Sequence, residues 1–208
     1  MVQIESSDGA VPSMPCYWTG SANPERVVVV FSDVYGIESG NHKVFCDELA
    51  SKFGTETTAV AMPDLQRGTP ILEPWLPTML SDLASSALGF PAMVARIKLY
   101  YTPDKIESDL MKLVVPWLQN ERSVQTIACV GFCFGGWVVA RALSIESTPF
   151  VAGVGIHPSI QSESLHSGSV KALAERIGTK SCLLLPSASD YDCKANSTFV
   201  QTLAAQKG

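Results

Sequence analysis

Gly131-Phe132-Cys133-Phe134-Gly135-Gly136 joins an apolar run, Thr126-Ile127-Ala128-Cys129-Val130, to a helix-forming run, Trp137-Val138-Val139-Ala140-Arg141-Ala142-Leu143. A strand that feeds a helix through so short a turn holds its central residue in a strained backbone conformation. Small neighbours are then needed so that strand and helix can approach each other. The side chain at the apex projects beyond the sheet, near the positive end of the new helix. The usual elbow of this kind, G-x-S-x-G, carries serine at its centre. Here the central residue is a cysteine, and a nearby helix N-terminus is one of the few local features that lowers a thiol pKa. The alternative is a buried cysteine in a Gly-rich connection, but packing alone does not account for glycines two before, two after and three after it.

Outward from this turn, apolar runs alternate with helical patterns. Val27–Phe31, Thr57–Met62, Phe150–Ile156 and Ser181–Leu185 read as strands. Gly40–Phe53 reads as a helix that buries Val44, Phe45, Leu49 and Phe53. Asp104–Leu118 reads as a helix opened by Pro103 and capped by Thr102, and further helices cover Val170–Ile177 and Ser197–Ala205. The strands are apolar throughout, as a parallel sheet covered by helices on both faces requires, so the class is α/β. Gly68–Tyr101 fits this alternation least well. Its four prolines and its aromatic residues predict an irregular excursion with short helices, either a lid or substrate wall or a plain loop.

At 208 residues, 46% hydrophobic and 17% charged, the chain can bury the core of a single domain spanning residues 1–208. A net charge of −5 with no basic stripe argues against nucleic acid or an acidic membrane surface as partner. No apolar run reaches bilayer length, and Met1–Gly9 lacks a signal-peptide core. The six cysteines form no CxxC and no Cys/His cluster, which predicts a reduced, cytoplasmic protein with no metal and no cofactor. The sequence is silent on oligomeric state.

In an open parallel sheet, ligands sit beyond the carboxyl ends of the strands. Ser32-Asp33-Val34-Tyr35-Gly36, the Cys133 turn and Ser187-Ala188-Ser189-Asp190-Tyr191-Asp192 all fall there, in the chain order nucleophile then acid. Together with Pro63-Asp64-Leu65-Gln66-Arg67-Gly68 and His157-Pro158-Ser159, these segments resemble the dienelactone hydrolase family, carboxymethylenebutenolidase-like α/β-hydrolases with a Cys-Asp-His triad. The resemblance runs from about residue 27 to the end. It implies an α/β-hydrolase fold, with a mostly parallel central sheet, that lacks the final strand and helix. It also implies hydrolysis of a small-molecule ester or lactone through a cysteine nucleophile.

Carried over residue by residue, the resemblance makes Cys133 the nucleophile and Asp190 the acid, with Asp192 the weaker alternative. The N–H groups of Phe134 and Val34 become the oxyanion hole. Asp33, Tyr35, Arg67 and His157 become substrate-binding or thiol-modulating residues, although Arg67 also reads as a solvated loop arginine. The family's histidine follows the acid, and none of the three histidines here (His42, His157, His166) does so. The readings are a C-terminally short chain, which is favoured, a variant without the base, or substitution by His157. A short chain would leave a bare sheet edge and an exposed core face. The missing base also motivates a second function class, a non-catalytic pseudo-hydrolase used for binding or scaffolding. A thiol peroxidase or redox sensor ranks third, for want of a resolving cysteine.

Overall fold

The computed structural model describes residues 1–6, 9, 11–54, 56–72 and 89–206. Seven strands form one sheet: β1 (Val2–Ile4), β2 (Met14–Gly20), β3 (Arg26–Phe31), β4 (Thr58–Pro63), β5 (Thr126–Phe132), β6 (Phe150–Ile156) and β7 (Ser181–Leu185). Their order is β1-β2-β4-β3-β5-β6-β7. Strand β2 runs antiparallel to both of its neighbours, β1 and β4, and the remaining pairings are parallel. The helices are α1 (His42–Phe53), α2 (Phe90–Tyr100), α3 (Pro103–Asp109), α4 (Phe134–Ser144), α5 (Ser162–Leu165), α6 (Val170–Ile177) and α7 (Thr198–Ala205). None of the described helices is long and apolar enough to cross a membrane.

The β-branched run in β3 shows why the parallel strands are apolar throughout. Val27, Val29 and Phe31 point into the main core with Trp137, Phe150, Leu173 and Phe199. Val28 and Val30 point the other way, with Val60, Met62, Cys46 and Ala50 beneath α1. Both faces of the strand are covered, so alternation with polar residues is absent. The α1 stripe differs from the expectation. His42, Cys46 and Ala50 are buried, whereas Val44 and Phe53 are exposed. Small residues at positions 46 and 50 let the helix lie close to β4, and its bulkier Phe45 and Leu49 pack at the margin.

The helix opened by Thr102 and Pro103 is capped as its sequence requires, with the Thr102 side chain accepting from the Lys105 N–H. Beyond Asp109 it widens into π-type turns at Leu110–Val114 and Trp117–Glu121. Pro116 lies between them and has no N–H to continue the regular ladder. Of the Gly68–Tyr101 excursion, residues 73–88 lie outside the described residues, and Phe90–Tyr100 is a continuous helix. Strands β1 and β2 were not read from the sequence.

Strand β7 pairs with β6 on one side and with no described strand on the other. Leu183 and Leu185 are about half exposed there. Among the described residues β7 is therefore an edge strand of the sheet.

The tightest approach in the fold joins β5 to α4. A Cβ added to Gly131 would overlap the Gly135 carbonyl, and one added to Gly135 would overlap the Phe31 carbonyl. Gly131→Ala is expected to lower the unfolding free energy by on the order of 3 kcal/mol or to prevent folding, as measured by urea denaturation. A loss under about 0.5 kcal/mol would contradict this packing.

Candidate active site

Cys133 occupies the apex of the turn between β5 and α4, with φ 52° and ψ −113°. Few non-glycine residues hold such angles, and neighbouring hydrogen bonds fix them here. The Cys133 N–H donates to the Ile156 carbonyl at 3.0 Å, and the Cys133 carbonyl accepts from Gly136 and Ser159 N–H groups, both at 2.9 Å. The half-buried sulfur receives the Phe134 N–H and lies 3.4 Å from the Ser159 hydroxyl. Burial pushes the thiol pKa up. The Ser159 and Phe134 hydrogen bonds oppose this, while the carboxylates of Asp33 and Asp190 reinforce it.

Asp33 closes the loop after β3. Its Oδ1 accepts the Tyr35 N–H at 2.8 Å, and its Oδ2 lies 3.7 Å from Nε2 of the buried His42. The Gln66 side chain ties this loop to the one after β4. It donates to the Asp33 carbonyl at 2.6 Å and accepts from the Ile71 N–H at 2.9 Å. The Val34 N–H has no partner among the described residues.

The acid loop follows β7. Asp190 bonds His157 Nδ1 at 2.7 Å through Oδ1 and 2.8 Å through Oδ2, and it accepts the Ser187 N–H at 2.6 Å. Burial alone would raise this carboxyl. The hydrogen bonds from Ser187 and His157 together outweigh that effect and hold it below the usual carboxylate value. A depressed carboxylate stabilises the fold above its unfolded pKa and ceases to do so as pH falls through the folded value, so this contribution disappears only in strong acid. Asp192 makes no such pair; its carbonyl accepts the Ser197 hydroxyl. His157 has φ 49° and donates its N–H to the Leu185 carbonyl, which turns the chain back across the elbow.

Arg67 is engaged elsewhere. Its guanidinium makes two 2.9 Å bonds to buried Asp109, which also pairs with Lys105. It lines a cavity of about 460 Å³ with Arg96, Tyr101 and Lys105, between the loop after β4 and helices α2 and α3. The Tyr101 ring touches the Phe134 ring edge-on at 5.7 Å, so the wall of the cavity reaches the residue after Cys133. Among the described residues no group of three His, Cys, Asp or Glu side chains is arranged to hold a metal ion. None of the six cysteines forms a disulfide.

The fold has known counterparts. Residues 14–178 match the dienelactone hydrolase family. The chain belongs to that family. No curated protein matches it at the level of whole sequences. Among solved structures, the fold is similar to Pyrococcus horikoshii acylaminoacyl peptidase, with TM-score 0.62 and 16% identity, covering 99% of this chain and 34% of the peptidase. The dienelactone hydrolase-family chain thus spans about a third of that protein's length. It is also similar to Est1E from Butyrivibrio proteoclasticus with ferulic acid bound, with TM-score 0.61 and 14% identity, covering 99% of this chain and 96% of that one. An IroE-like serine hydrolase from Shewanella oneidensis gives TM-score 0.60 and 16% identity, with coverages of 99% and 68%. At these identities the structural likeness speaks to fold, and it is the α/β-hydrolase fold.

Sequence reading missed His42, Gln66 and Ser159 as parts of this site. Ser159 stood in a recognised tripeptide, but nothing local to it points to a sulfur 26 positions earlier in the chain. Because alkylation follows the thiolate fraction, iodoacetamide labelling of Cys133 should rise with pH to a midpoint above the free-cysteine value of about 8.5. Peptide mapping of labelled protein across pH 6–11 checks this, and a midpoint below 8 would contradict it.

Proposed function

We propose that this dienelactone hydrolase-family chain hydrolyses ester or lactone bonds of small molecules, with Cys133 as nucleophile. One observation carries the reading: the sulfur stands at a strained strand–helix apex with the Phe134 N–H upon it and the free Val34 N–H on the neighbouring loop. In this mechanism His157 accepts the thiol proton. Asp190 holds Nδ1 as the protonated nitrogen, which leaves Nε2 as the basic one.

Sulfur then attacks the carbonyl carbon, and the S–C bond forms as negative charge moves to the oxygen facing the two N–H groups. The C–O bond to the leaving alcohol breaks, and the imidazolium returns its proton to that oxygen. Water next attacks the thioester, releases the carboxylic acid and restores the thiol. The cavity beside Phe134, lined by Arg96, Tyr101 and Lys105, receives the remainder of the substrate.

A second reading, a pseudo-hydrolase that binds without turnover, is favoured by the burial of the sulfur, which disfavours its charged form. Hydrolysis of 4-nitrophenyl acetate separates the two. Cys133→Ala should reduce the rate by about 10³-fold or more. His157→Gln should reduce it by about 10²- to 10⁴-fold. A wild-type rate equal to that of Cys133→Ala would remove the hydrolase reading in favour of binding.

A further inference from the structure

The turn His157-Pro158-Ser159 lies on the elbow itself, and its hydroxyl has no role in the mechanism above. Ser159 is fixed by its own N–H, which donates to the Cys133 carbonyl at 2.9 Å. Pro158 packs against Gly136 so closely that a Cβ on that glycine would come within 2.7 Å of the proline Cα. His157 is held at both ends, by the Leu185 carbonyl and by Asp190. The Ser159 hydroxyl is therefore presented to the sulfur by backbone, with little side-chain freedom to lose. Among the described residues it has no partner other than Cys133 Sγ.

We propose that Ser159 is the hydrogen-bond donor that stabilises the Cys133 thiolate, so that together with the Phe134 N–H it determines at what pH the nucleophile forms. The proposal rests on Cys133 being the reactive group. Its logic is electrostatic. The groups that face the sulfur come from four elements: Asp33 from the loop after β3, the Phe134 N–H from α4, Ser159 from the turn after β6, and Asp190 from the loop after β7, with His157 upon it.

Both carboxylates disfavour a negative sulfur, and burial does so more strongly. A thiolate at this place needs donors. The backbone supplies one, and Ser159 is the side chain in position to supply another. In the thiol state the same contact can reverse, with S–H donating to Oγ, so the hydroxyl serves both protonation states without moving.

The test is the pH profile of iodoacetamide labelling at Cys133, read by peptide mapping, because it does not depend on turnover. A hydrogen bond to a charged group corresponds to about one pH unit. Ser159→Ala should therefore raise the labelling midpoint by about one unit and slow labelling at pH 7 about tenfold. Ser159→Thr, which keeps the hydroxyl, should restore the wild-type midpoint, whereas Ser159→Val, nearly the same shape without it, should not. The Thr and Val pair carries the test if the alanine variant fails to fold. Hydrolysis by Ser159→Val should recover toward wild type at high pH, which a merely structural defect would not allow. Equal midpoints for the Thr and Val variants would overturn the proposal. Hydrolysis at the wild-type rate by Cys133→Ala would instead sink the hydrolase reading and leave the labelling shift readable.

Discussion

The contact on which the site depends is the one between backbones at the elbow. Gly131 and Gly135 lack side chains because each faces a carbonyl oxygen, of Gly135 and of Phe31 respectively. Without that approach α4 could not begin so soon after β5, and Cys133 would not be held at φ 52°. The positive φ is maintained by hydrogen bonds from the elbow to β6 and to the turn after it. The direction of the Cys133 side chain is thus a property of three adjacent strands, not of the hexapeptide alone.

Around this fixed point the loops are tied to one another by polar side chains. Gln66 joins the loop after β4 to the loop after β3, and Asp64 gathers the N–H groups of Gln66 and Gly68 at 3.1 and 2.6 Å. Asp109 fastens Arg67 and Lys105 from below. Behind α4, buried Glu163 accepts the Trp137 indole N–H at 2.9 Å and pairs with Arg141. These buried charges are compensated, as burial demands.

Much of the fold was legible because parallel strands covered on both faces announce themselves as apolar runs; β3 and β5 are the clearest. Strands β1 and β2 were not, since Met14–Gly20 mixes Pro15, Tyr17 and Thr19 into a strand that is only partly buried. Helix α1 was found but its face was misread, because Val44 and Phe53 are apolar yet exposed. At the site, the elbow was legible from glycine spacing. The engagement of Arg67 was not, because its partner lies 42 positions away on α3 and no local pattern encodes that distance. The contacts of Ser159 with Cys133 and of His157 with Asp190 are of the same kind: they arise from the order of strands, which brings β6 between β5 and β7.

That same order has a consequence for how the molecule assembles. β3 pairs with β5 across about a hundred intervening residues, and the elbow leans on β3 through Gly135 and on β6 through Cys133. Closing contacts so distant in sequence costs chain entropy and slows folding. The geometry at Cys133 therefore depends on the slowest-forming kind of contact in the sheet, and not on the local strand–turn–helix segment alone.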